Sequence, residues 1–132
     1  MKQPAAQQVT EFDNSGFALL KGRTWRYFMP KLYCILGRAP SNYKTARKMK
    51  VVWHCDVDLG HMRRVSRQHA LIVYNFEKER FEVKCLSRKY GIRVNREEIR
   101  FEQGARGLKS GDIVQVAGES FFFMLPPSTN RV

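Results

Sequence analysis

Over residues 80–85, Arg80, Glu82 and Lys84 alternate with Phe81, Val83 and Cys85. A period of two sends neighbouring side chains to opposite faces, so the segment predicts a half-buried strand with its charges outward. Runs rich in β-branched and aromatic residues predict further strands at Tyr33 to Leu36, Val51 to Trp53, His69 to Tyr74, Ile92 to Val94, Ile113 to Val116 and Phe121 to Leu125. Polar or glycine-bearing punctuation separates them, and Asn75 to Glu79, Lys109 to Asp112 and Ala117 to Glu119 predict turns. No stretch sustains a helical period with capping residues. Short strands at close spacing, without helices between them, predict an all-β sandwich or barrel.

Residues 1–14 are polar and patternless, and 127–132 are rich in polar residues, so both are expected to be tails around one domain over 15–126. A longer interruption over about 39–52 carries Pro40, Ser41 and Asn42, then Lys44, Arg47, Lys48 and Lys50. It predicts a basic surface loop, either a binding element or a neutral insertion. A length of 132 residues fits a single domain, and 43% hydrophobic residues supply a core without disulfide or metal staples.

Charge narrows the partners. The chain carries 24 Lys and Arg against 12 Asp and Glu, a net charge of +12, and no acidic residue falls between Asp13 and Asp56. Such a field favours nucleic acid, an acidic membrane surface or a phosphorylated protein, and it also fits a merely solvated basic face. Cys34, Cys55 and Cys85 are odd in number and widely spaced, so reduced thiols and an intracellular location are expected, with Cys34 and Cys85 filling the core. His54 beside Cys55 lacks the paired spacing of a zinc site, and no metal or cofactor is expected. No apolar run approaches the roughly 20 residues of a membrane span, and Met1 to Gln8 lacks a signal-peptide core, so a soluble protein is expected.

The chemistry gathers at strand ends: Gly37-Arg38 after one strand, Ser66 to His69 before another, and Gly91 and Asn95 around a third. Arg38 offers a planar fork of donors, and Ser66 a hydroxyl, which together suit a tetrahedral dianion. Ser66 and His69 are also half of a catalytic triad, but no Gly-x-Ser-x-Gly elbow or oxyanion hole accompanies them. Asp56 and Asp58 lack a third group for acid-base work, and Asp112 fits a turn residue bonding its own backbone. No enzyme activity is expected.

Five separated blocks then stand in order: Ile35-Leu36-Gly37-Arg38, Asp56-Val57-Asp58-Leu59, Val65-Ser66-Arg67-Gln68-His69-Ala70, Gly91-x-x-Val94-Asn95, and Leu108-x-x-Gly111-Asp112-x-x-Gln115-Val116. Together with the Phe121 to Leu125 run they resemble the forkhead-associated (FHA) domain. Gly16 to Gly22, Tyr27-Phe28-Met29 and the stretch ending at Gly60 are similar to the FHA modules of forkhead-type transcription factors and their plant relatives.

The resemblance implies a twisted sandwich of about eleven strands whose loops at one end grip phosphothreonine in an extended peptide. Arg38 and Ser66 would contact phosphate oxygens and Arg67 would add a donor, while Gly37, His69, Gly91 and Asn95 would support the loops. Tyr90 stands where the family usually has an Asn that holds the peptide backbone, and Ile92 where it often has Thr. Lys89 would supply compensating charge. The implied partner is a phosphothreonine-containing protein, bound by a monomer in the nucleus. Two alternatives stay open: a degenerate module docking an unphosphorylated partner, and a basic domain making weak nonspecific nucleic-acid contacts through its loop.

Overall fold

Tyr33, Cys34, Ile35 and Leu36 pair residue by residue with Val73, Ile72, Leu71 and Ala70 in the centre of one of two sheets. The computed structural model describes residues 16–40, 54–60 and 62–127. The strand expected at Val51 to Trp53, the tail expected over 1–14, the last residues of the C-terminal tail and most of the basic loop lie outside the described residues. A five-stranded sheet runs β4 (Val57–Asp58), β3 (Tyr33–Gly37), β5 (Ala70–Asn75), β6 (Arg80–Cys85) and β9 (Ala105–Gly107). A six-stranded sheet runs β2 (Arg26–Phe28), β1 (Leu19–Gly22), β11 (Glu119–Met124), β10 (Asp112–Val116), β7 (Ile92–Val94) and β8 (Glu97–Ile99). The expected all-β sandwich is therefore present. The pair β3–β4 is parallel, whereas β3–β5, β5–β6 and β6–β9 are antiparallel.

The inward set is the apolar phase of each strand. Leu36, Ile72, Val83, Val94, Val114, Val116, Phe121 and Phe123 are all at most 2% exposed and belong to one core. Phe81 of one sheet meets Phe123 of the other edge-on at 5.4 Å between ring centroids, a geometry that aromatic quadrupoles favour. Cys34 and Cys85 are buried free thiols in this core. Burial and the Asp56 charge push the Cys34 thiol up to about 12, which keeps it protonated and unreactive.

The alternation read over 80–85 fails at one residue. Glu82 is only 5% exposed, because β9 pairs alongside it and the Arg80 guanidinium folds over Gly107, leaving the carboxylate beneath. Arg80 Nε donates to it at 2.9 Å and Asn75 Nδ2 at 3.2 Å, so the buried charge is paired and hydrogen-bonded. Strands β1, β2, β4, β8 and β9, and a 3₁₀ turn at Phe101–Gln103, have no counterpart in the period-two reading.

His69 fastens three segments at one end of the sandwich. Its amide donates to Leu36 O at 2.8 Å and its carbonyl accepts from Leu86 N at 2.8 Å. Its ring is fully buried; Nδ1 accepts from Ser66 N at 3.0 Å, so the ring hydrogen sits on Nε2, which faces Gly91 O at 3.2 Å. Burial holds its pKa below the ordinary 6.5, partly offset by the bond to Gly91. The unfolded chain takes up this proton as the pH drops through 6.5, and the folded one only at lower pH. Stability supplied by the neutral ring is thus complete above pH 6.5 and declines below it. We expect an NMR titration to place the His69 midpoint under 6.5, and urea midpoints to drop between about pH 7 and 5 more in the parent than in His69→Asn. A midpoint at or above 6.5 contradicts this account.

Candidate functional site

Gly37 must come so close to the segment before β5 that only glycine fits there: a Cβ would stand 2.1 Å from Arg67 O and 2.9 Å from Ser66 O. That approach lets Arg38 N donate to Ser66 O at 3.0 Å and to Arg67 O at 3.2 Å. Arg38 Nε donates to Val65 O at 3.0 Å, which fixes the plane of the guanidinium. Residues far apart in sequence are thereby set side by side.

Arg38, Ser66, Arg67, Lys89 and Tyr90 all line one open cleft of about 530 Å³. Arg63 and Arg88 also reach it, giving, among the described residues, five cationic side chains along the lining and no carboxylate. Like charges gathered in a concave, low-dielectric wall focus a positive potential and draw in anions. Ser66 is held by its amide bond to His69, and its Oγ lies 2.8 Å from Ser87 Oγ. Tyr90 packs its ring nearly parallel to that of His69, at 6.4 Å between centroids, and Lys89 Nζ lies 5.7 Å from the Tyr90 centroid. Arg88 sits over the Phe101 ring at 4.3 Å, and Arg100 Nη2 donates to Lys89 O at 3.3 Å. These contacts steady the loop between β6 and β7.

Gly91 closes that loop. Its carbonyl faces His69 Nε2, and a Cβ there would come within 2.9 Å of Glu98 Oε2. Asn95 is the one expected support that the fold does not bring to the cleft. It lies past the far end of β7, where its Nδ2 donates to Asp112 Oδ1 at 2.9 Å and its Oδ1 accepts from Ile113 N at 2.9 Å. It braces the turn before β10, because β7 and β10 run antiparallel and the end of one meets the start of the other.

Two rival chemistries lose their geometry. The contact between Ser66 and His69 runs through the serine amide, not its hydroxyl, so it is not a nucleophile with its base. Asp56 and Asp58 are spent on near neighbours: Asp56 Oδ2 accepts from Ile35 N at 2.8 Å while its Oδ1 meets His54 Nε2 at 2.9 Å, and Asp58 Oδ1 accepts from Gly60 N at 2.9 Å and Ala39 N at 3.2 Å. Among the described residues no group of three or more His, Cys, Asp or Glu is placed to hold a metal. Sequence reasoning missed Arg63, Ser87 and Arg88. The Arg63-Arg64 pair directly before Val65-Ser66 was a signal for the first, but nothing in the local sequence marks Ser87.

The FHA domain model matches residues 34–117. Fork head protein homolog 2 of Schizosaccharomyces pombe is 32% identical over 115 residues, covering 87% of this chain and 18% of that protein. Transcriptional activator FHA1 of Nicotiana tabacum is 34% identical over 117 residues, covering 85% of this chain and 50% of that protein. The chain thus spans at most half the length of these two relatives. Among solved structures, EmbR of Mycobacterium tuberculosis in complex with a low affinity phosphopeptide aligns with a TM-score of 0.63 at 24% identity, covering 96% of this chain and 31% of that one. The N-terminal FHA domain of S. cerevisiae Rad53p in complex with a phosphothreonine peptide aligns with a TM-score of 0.61 at 17% identity, covering 83% of this chain and 93% of that one. At those identities the likeness is one of fold. A family match across most of the two sheets, on a chain whose glycine, arginine, serine and histidine motifs meet at one cleft, has one reading: this chain belongs to the FHA domain family, a family of protein-interaction modules.

Proposed function

We propose that the cleft docks the phosphothreonine of an extended peptide in a partner protein, and that the chain works as a non-catalytic module read by phosphorylation. The observation that carries this reading is the backbone contact that sets Arg38 beside Ser66 in a cleft to which the described residues bring five cationic and no acidic side chains. A phosphothreonine brings about −1.5 to −2 charges and three acceptor oxygens, where the unmodified residue brings neither. Arg38 and Ser66 hold the phosphate, Arg67 and Lys89 add charge, and Tyr90 forms the wall beside the peptide backbone. Gly37, His69 and Gly91 support these loops, whereas Asn95 braces the turn before β10. The phosphopeptides bound in the EmbR and Rad53p structures support the class of ligand. Relatives named as fork head proteins and a transcriptional activator support a nuclear role in transcription. The folded unit spans 15–126 and acts as a single copy.

Arg38→Ala is expected to weaken binding of a phosphothreonine peptide at least about tenfold in calorimetry, since a hydrogen bond to a charged group is worth about 1.5–3 kcal/mol. The thermal midpoint should stay within a few degrees, because Arg38 stands on a loop outside the core. Unchanged affinity removes Arg38 from the site. Equal binding of phosphorylated and unphosphorylated peptides would favour constitutive docking instead, and a steep fall of affinity with salt would favour nucleic acid.

Tyr90 provides a second test. Its hydroxyl cannot reproduce the short two-ended amide of an asparagine. In an oriented phosphothreonine library, Tyr90→Asn is expected to tighten binding and sharpen the preference for residues after the phosphothreonine. An unaltered profile means that the backbone-holding role is not carried by this position.

A further inference from the structure

Ser87 is only 4% exposed, yet its hydroxyl meets three polar atoms at the cleft. Ser87 Oγ lies 2.9 Å from Tyr90 N, 3.3 Å from Lys89 N and 2.8 Å from Ser66 Oγ. A serine oxygen has one hydrogen and two lone pairs. The two backbone amides are donors only, so they take both lone pairs. The single hydrogen of Ser87 then has one place to go, which is Ser66 Oγ. Ser66 is therefore the acceptor in the pair of hydroxyls, and its own hydrogen remains available to something else.

The direction matters. Were the pair reversed, Ser66 would point its only hydrogen inward and present bare lone pairs to an anion, which repels them. With Ser87 as donor, all the bonds run the same way, from the amides of Lys89 and Tyr90 through Ser87 to Ser66 and out to the cleft. Aligned hydrogen bonds polarise one another, so each hydroxyl is a stronger donor than it would be alone. Ser66 is half-buried on the cleft wall, and its amide is already committed to His69, so the freed hydroxyl hydrogen is its contribution to a ligand.

Building on the phosphothreonine reading, we infer that Ser87 is a positioning residue: it fixes the Ser66 hydroxyl as a donor toward the phosphate without touching the peptide itself. A purely structural role, tying the loop of Lys89 and Tyr90 in place, is the competing account. The two differ in whether the effect of Ser87 depends on Ser66.

The experiment is a double-mutant cycle, read as phosphothreonine-peptide affinity in the parent, Ser66→Ala, Ser87→Ala and the double variant. Ser87→Ala is expected to weaken binding about fivefold when Ser66 is present and less than about twofold in the Ser66→Ala background. Ser87→Thr, which keeps the oxygen and its hydrogen, should recover most of the loss and shows whether the alanine variant merely loosened the loop. Losses that multiply in the double variant overturn the inference in favour of loop tethering. Binding that Ser66→Ala weakens but Ser87→Ala leaves unchanged overturns it alone. A parent protein that ignores the phosphothreonine peptide overturns the reading of the cleft and this inference with it. Neutron diffraction from the perdeuterated protein tests the bond direction independently: the deuteron between the hydroxyls is expected on Ser87, and its presence on Ser66 overturns the inference whatever the peptide does.

Discussion

The site depends on one close approach of backbone to backbone. Gly37 lies so near Ser66 and Arg67 that even a methyl group would overlap a carbonyl oxygen, and the amide of Arg38 bonds across the gap. A side chain at residue 37 would push the end of β3 away from the segment before β5, and the guanidinium and the hydroxyl would part with it. The core beneath, from Leu36 through Ile72 and Val83 to Phe123, supplies the stiffness that makes so tight a contact tolerable.

Around that contact, polar groups at the strand ends bond to one another. His69 uses its amide, its carbonyl and both ring nitrogens on different segments. Asp56 and Asp58 cap amides on either side of β4, at Ile35, Ala39 and Gly60. Buried polar groups that find partners hold loops to a single geometry, because each broken bond would leave an unpaired donor or acceptor out of reach of solvent. The rim is thus rigid where it meets the sheets, and its cationic side chains stand on a fixed base.

Much of this was legible in the sequence. The period-two runs located β3, β5, β6, β7, β10 and β11 within a residue or two, and a strand such as Arg80–Cys85 announces itself because apolar and charged residues take turns. Strands β2 (Arg-Tyr-Phe), β8 (Glu-Glu-Ile) and β9 (Ala-Arg-Gly) lack the alternation that marks the equally short β7 (Ile-Arg-Val), and their place is set by the neighbours they pair with. Glu82 misled for the same reason, since a charge in phase with Arg80 and Lys84 gives no hint that β9 will cover it. At the site, Gly37, Arg38, Ser66 and His69 were found through their spaced motifs. Ser87 was not, because its importance comes from three atoms of other residues converging on its oxygen, and convergence has no signature along a chain.

The way the loop between β6 and β7 is pinned has an evolutionary corollary. Its backbone course is held by Ser87 Oγ, by the Cys85 thiol reaching the carbonyls of Ser87 and Tyr90, and by the Gly91 carbonyl on His69, and the ring contacts of Arg88, Lys89 and Tyr90 add to a path that is already fixed. Those positions can drift while the scaffold stays put. A lineage could therefore trade one clientele for another by exchanging a few outward groups, Tyr90 among them.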